Sequence, residues 1–193
     1  MEKNGKLLWR DSTENTNFVG NEILFMRKCF LLFAIAGLLS GCRERTELQK
    51  SYAFDQKAGW HYLIEGMKQN VDKEYVPDYT KAFIYSDSAI AHSPDNPLFY
   101  GLKASRCFGA GEYRAALDTY LRLFSRGITP AVDLSSVGML YDSLGVRDSA
   151  AYYYRRALDG YRRDLPGLAA DTMSYNSTVY RIQVLEERLD TMR

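Results

Sequence analysis

Large apolar and small residues return at helical spacing through the second half of the chain. In "GEYRAALDTYLRLF", which starts at Gly111, one stripe carries Tyr113, Ala116, Leu117, Tyr120, Leu121, Leu123 and Phe124. In "GVRDSAAYYYRRAL", which starts at Gly145, it carries Ala150, Tyr153, Tyr154, Ala157 and Leu158 and runs on to Tyr161. Steps of three and four residues place such side chains on one face of an α-helix. Ser93-Pro94-Asp95-Asn96-Pro97 breaks the pattern ahead of the first segment, and Pro97 suits the first turn of a following helix. Thr129-Pro130 does the same before the second. After Arg163, "DLPGLAADTM" reads as a connector. The last predicted helix, in "SYNSTVYRIQVLEERLDTM", puts Tyr175, Val179, Ile182, Leu185 and Leu189 on one face, with Glu186, Glu187 and Arg188 largely off it.

The two striped segments superpose at an offset of 34 residues. Gly111 then matches Gly145, Ala116 matches Ala150, Tyr120 matches Tyr154 and Leu123 matches Ala157. One period earlier, Ala116 falls on Ala82, Leu123 on Ala89 and Ile128 on Pro94. With Ala104 and Gly138 as small residues one helix earlier, the pattern resembles the tetratricopeptide repeat, a helix pair of this length. The resemblance implies that Ala104 and Gly138 sit where two helices touch, that Gly111 and Gly145 hold the turns, and that Tyr120 and Tyr154 fill the aromatic position of the second helix. Small residues let helix axes approach, and aromatic rings fill the space one turn on. The first repeat departs from the pattern, with Ser86 at the aromatic position. There Trp60 and Leu63 match the Trp-x-x-Leu start only if about six extra residues are allowed before Asp78, the longer turn falling in "QNVDKEYVPD". The expected fold is all-α, with three helix pairs over residues 53–163 and a C-terminal capping helix, seven helices in a domain spanning residues 53–193. A polar-backed terminal helix is what a repeat array needs to cover its last open edge.

A different hydrophobic pattern precedes this region. "LLFAIAGLLSGC" ends at Cys42, and residues 29–39 carry no charge; Met26-Arg27-Lys28 stand just before them. The run is short for a membrane span, which takes about 20 apolar residues. It fits the apolar core of a secretory signal after a basic start. Leu39-Ser40-Gly41-Cys42 resembles the bacterial lipobox. That resemblance implies a signal peptide over residues 26–41, cleavage after Gly41, and lipidation of Cys42 as the new first residue. Residues 1–25 read as an upstream extension ahead of a start at Met26, or as a long n-region. Residues 42–52, including the polar "RERTELQKSY", read as a lipidated tether. The implied localisation is the cell envelope, lipid-anchored, at the outer membrane and facing the periplasm. Arg43 follows the cysteine, so the Asp that marks inner-membrane retention in some bacteria is absent.

Composition narrows the functional classes. The formal net charge is +1, with 25 Lys and Arg against 24 Asp and Glu, so nothing points to nucleic acid. The three cysteines, Cys29, Cys42 and Cys107, match no zinc or redox spacing. Only His61 and His92 are present, and they are not at the i, i+4 spacing of a zinc helix, so neither metal nor cofactor is expected. Cys107, among Ala104 and Phe108, reads as a buried inert thiol rather than a nucleophile. "YYYRRALDGYRR" interleaves aromatic and basic residues. An anionic or aromatic ligand patch is one reading; the plainer one puts Tyr154 and Tyr161 in the core and the arginines in solvent.

A surface is left. In the tetratricopeptide family the concave face comes from the first helix of each pair. Carried across by position, that gives His61, Glu65 and Lys68 in the first repeat, Gly101, Ser105 and Phe108 in the second, and Ser135, Met139 and Asp142 in the third. Polar groups mixed with a Phe and a Met suit capture of a peptide in a groove. The expectation is a membrane-anchored, non-catalytic scaffold that binds a protein or peptide partner. An immunity or antagonist protein against a toxin is an alternative, and an envelope hydrolase a more distant one.

Overall fold

The computed structural model describes residues 46–192. Residues 1–45, with the expected signal, Cys42 and the start of the tether, lie outside the described residues. Among those described there is no strand. The helices are α1 (residues 46–71), α2 (Thr80–His92), α3 (Pro97–Gly109), α4 (Tyr113–Phe124), α5 (Ala131–Ser143), α6 (Arg147–Asp164) and α7 (Thr172–Asp190), with a single 3-10 turn, Leu165–Leu168, in the connector before α7. Three consecutive helix pairs and a terminal helix match the expected architecture.

Local chemistry sets the boundaries. The Asn96 side chain accepts from the Leu98 amide at 3.1 Å and Pro97 follows as the first helical residue, so α3 starts with its orphan donors reduced. Asp171 caps α7 by accepting from the amides of Met173 and Ser174. The turns inside the second and third pairs pass through Gly111 and Gly145 at φ 78° and 74°, a left-handed conformation that costs an L-residue about 1 kcal/mol or more.

Packing inside the pairs follows the small-and-aromatic pattern. A Cβ on Gly138 would lie 2.4 Å from Tyr154 Cδ1, so the tyrosine ring rests directly on the α5 backbone. Ala104, Ala116 and Ala150 are buried, as are Tyr120 and Tyr154. Tyr161 is buried too, whereas Tyr152 stands exposed with Arg156 over its ring, so the plainer reading of "YYYRRALDGYRR" holds. Leu185 buries in the cluster of Tyr154, Leu158 and Tyr161, and Ile182 and Leu189 pack on its margin. Helix α7 therefore covers the end of the array; Tyr175 lies at the exposed margin of its face and Thr178 buries instead.

The first pair departs from expectation in three ways. Residues 46–52, assigned to the tether, are already helical: Ser51 is fully buried and donates to Ser93 Oγ at 2.8 Å, and Tyr52 meets Phe99 edge-on. Trp60 and Leu63, matched to the start of the repeat pattern, are exposed. The inward face of α1 is instead Phe54, Ala58, His61 and Tyr62, because these rings stack on Tyr85 and Tyr79 of the second helix and its approach. Finally, Ser86 takes the place held by Tyr120 and Tyr154. Arg106 Nη1 donates to Ser86 Oγ at 3.2 Å and to Asp55 Oδ1 at 2.6 Å, so a part-buried ion pair occupies the space an aromatic ring fills elsewhere.

Candidate functional site

Side chains of α3 and α5 face each other across a seam that Tyr120 of α4 also lines. A concave pocket of about 180 Å³ opens there, lined by Ala104, Ser105 and Phe108 of α3, by Tyr120, and by Ser136, Met139 and Leu140 of α5. The size suits one side chain. Its walls are mixed: Phe108 and Met139 are part-exposed apolar groups at the rim, and the hydroxyls of Ser105, Ser136 and Tyr120 supply donors and acceptors. Burial pushes the Tyr120 hydroxyl up from its ordinary range, with Ser136 acting the other way.

The structure brings together three of the nominated groove residues, Ser105, Phe108 and Met139. Gly101 lies along the same seam, opposite Asp133, whereas His61, Glu65, Lys68 and Asp142 lie elsewhere. His61 is stacked on Tyr85 at 5.3 Å between ring centres. Glu65 accepts from Lys68 Nζ at 2.7 Å, from the Tyr75 hydroxyl at 2.6 Å and from the Asp78 amide at 3.0 Å. Those bonds, Lys68 first, bring the Glu65 carboxyl down to about 2. Glu65 and Lys68 thus pin the long turn between α1 and α2. Asp142 is paired with Arg188 of α7 and faces the capping helix.

One group beside the pocket escaped sequence reasoning. Asp133, one turn before Ser136 on α5, is only 7% exposed. No side-chain hydrogen bond or ion pair reaches its carboxylate among the described residues, and burial pushes its acid up to about 6. Among the described residues every polar side-chain atom sealed from solvent has a hydrogen-bond partner, so the unpartnered carboxylate keeps an opening to solvent. Across the seam, the Cβ position of Gly101 lies 3.9 Å from Asp133 Oδ1, and glycine puts no side chain there. The available signal was an acid on the buried stripe of α5, four residues before Val137 and seven before Leu140.

Catalytic groups do not converge here. Cys107 is buried in the cluster with Ala104 and Val137, and burial raises its thiol pKa, which keeps it protonated and unreactive. His92 Nδ1 lies 2.6 Å from Glu47 Oε2 and its ring stacks on Phe54, tying α2 to α1. No group of three or more His, Cys, Asp or Glu among the described residues is arranged to hold a metal ion. None of the described helices is long and apolar enough to cross a membrane. Trp60, Leu63, Met67 and Val71 form an exposed apolar stripe on α1.

These features define an all-α, tetratricopeptide-like array of helix pairs with a pocketed seam between the first helices of its second and third pairs. Among solved structures the chain is similar to the crystal structure of MamA, with a TM-score of 0.38, 18% sequence identity, and coverage of 57% of this chain and 68% of that one. No family model and no curated protein sequence matches the chain.

Proposed function

We propose that this protein is a non-catalytic scaffold that holds a protein partner by an extended peptide segment along the α3/α5 seam, tethered to a membrane of the bacterial cell envelope through lipid on Cys42. The observation that carries the binding reading is the pocket itself: an aromatic, a thioether and three hydroxyls converge on a space the size of one side chain. Pockets that take a single anchor residue concentrate much of the energy of peptide recognition. The anchoring reading rests on basic residues, apolar run and Leu39-Ser40-Gly41-Cys42 in order. The placement at the outer membrane rests on Arg43 after that cysteine.

Replacing Ser105 with a photo-crosslinking benzoylphenylalanine in living cells tests the binding reading. A single discrete protein adduct is expected, lost when Phe108→Glu is added, while the same crosslinker at Arg155 gives none. Adducts that persist with Phe108→Glu contradict a pocketed site. Cys42→Ser should move the protein from the membrane fraction to the soluble one; a fully processed variant that stays membrane-bound contradicts the anchor.

A further inference from the structure

Asp133 is the one acid in the described residues that is more than nine-tenths buried, and it has no cation beside it. The groups facing it are Gly101 from α3, Tyr120 from α4 and Tyr161 from α6. None carries positive charge; the Arg181 guanidinium of α7 donates to the Tyr161 hydroxyl at 3.5 Å and forms no ion pair with Asp133. Other acids that join helices here have been given one: Asp55 has Arg106, Asp87 has Lys103 and Arg122, and Asp142 has Arg188. A carboxylate held in a low-dielectric wall without a counter-ion is costly, and a cation supplied from outside recovers that cost. Two features leave the way open. The carboxylate keeps access to solvent, and the missing side chain at Gly101 leaves the opposite bank of the seam low. The side-chain pocket begins one helical turn further along α5, at Ser136, so a peptide lying in the seam would pass both.

Resting on the peptide-binding reading above, we infer that the seam selects a partner segment carrying a lysine or arginine, whose cation pairs with Asp133 while a neighbouring apolar side chain enters the pocket of Phe108, Tyr120 and Met139. Charge complementarity fixes register and rejects acidic segments. Phe108 and Met139 provide the apolar anchor, and Asp133 provides the discrimination.

The probe is a phage-displayed library of random peptides, panned on the full-length chain in detergent at about pH 7.5. The selected peptides are then synthesised and their affinities measured by fluorescence anisotropy. The expected motif has Lys or Arg at a fixed distance from an apolar residue. Asp133→Asn should weaken the best peptide about tenfold or more, and replacing its basic residue with norleucine should do the same to the wild-type protein but little to Asp133→Asn. Circular dichroism of Asp133→Asn confirms that the fold is intact. Peptides that are lost with Phe108→Glu, carry no basic residue and are indifferent to Asp133→Asn overturn the inference and leave the groove reading standing. No enriched peptide, or peptides indifferent to both variants, overturns the two together.

Discussion

The first and third helix pairs solve the same packing problem with different chemistry. In the third, the Tyr154 ring sits against Gly138 and Ala131 against Gly160, so at these two points the α5 and α6 backbones are separated only by an aromatic ring and a methyl group. In the first, Ser86 replaces the ring, and the Arg106–Asp55 pair bridges α3 to α1 and α2. The first pair is also longer, because residues 72–79 form an extended turn between α1 and α2. Tyr52 of α1 meets Phe99 of α3, 47 residues on, whereas Gly101 meets Asp133 only 32 residues on. The 34-residue period holds where the turn inside a pair is short, through Gly111 and Gly145, and lapses where residues 72–79 lengthen it.

Glycine-to-alanine substitutions should separate the two ends most strongly. Gly138→Ala forces a methyl into the Tyr154 ring and is expected to cost about 3 kcal/mol, read as a lowered melting temperature. Gly109→Ala at the first-pair end meets the Tyr62 hydroxyl and Cζ, the far end of a half-buried side chain stacked on Tyr79, which a small ring shift can relieve. Its expected cost is below about 1 kcal/mol, since alanine also gains in helix propensity. Equal costs would break the comparison. Arg106→Ala comes next. It strands the part-buried Asp55 and should cost about 2 kcal/mol by urea denaturation. A change under about 0.5 kcal/mol would mean the ion pair does not hold the first pair together.

A smaller effect, of opposite sign, is expected at Asp133. Its acid is raised to about 6 by burial, so between about pH 4 and 6 the folded protein binds more protons than the unfolded chain. Stability should fall as pH rises through that window and level off above it. Tyr120 and Tyr161, which face it, are themselves pushed upward by burial and stay protonated throughout. Asp133→Asn should remove this slope and stabilise the protein at pH 7 by on the order of 1–2 kcal/mol. A variant as stable as, or less stable than, the parent at pH 7 would mean the carboxylate finds a partner in the free protein.

The regular pairs were legible because their signals are local: paired alanines, a glycine at each turn, and rings at one spacing. Pro97 and Gly145 ended or opened helices where elementary backbone chemistry requires it. The start of α1 was not legible. "RERTELQKSY" looks like tether until Ser51 and Tyr52 are seen to bury against Ser93 and Phe99, contacts about 40 residues or more away in sequence that no periodicity announces. The site was readable in part. Ser105, Phe108 and Met139 follow from repeat position, whereas Asp142 and Glu65 were spent on partners at Arg188, Lys68 and Tyr75. Asp133 escaped because an acid on a buried stripe contradicts the expectation that charges face solvent, and its isolation shows only once neighbouring helices are in place.

Amide hydrogen exchange on the full-length chain, with and without a peptide selected on it, tests the location of binding directly. The α3/α5 seam predicts slowed exchange in residues 101–109 and 131–140, with the α1 stripe at residues 60–71 and the capping helix unchanged. Protection confined to α1 or α7, with the seam exchanging as before, would contradict it.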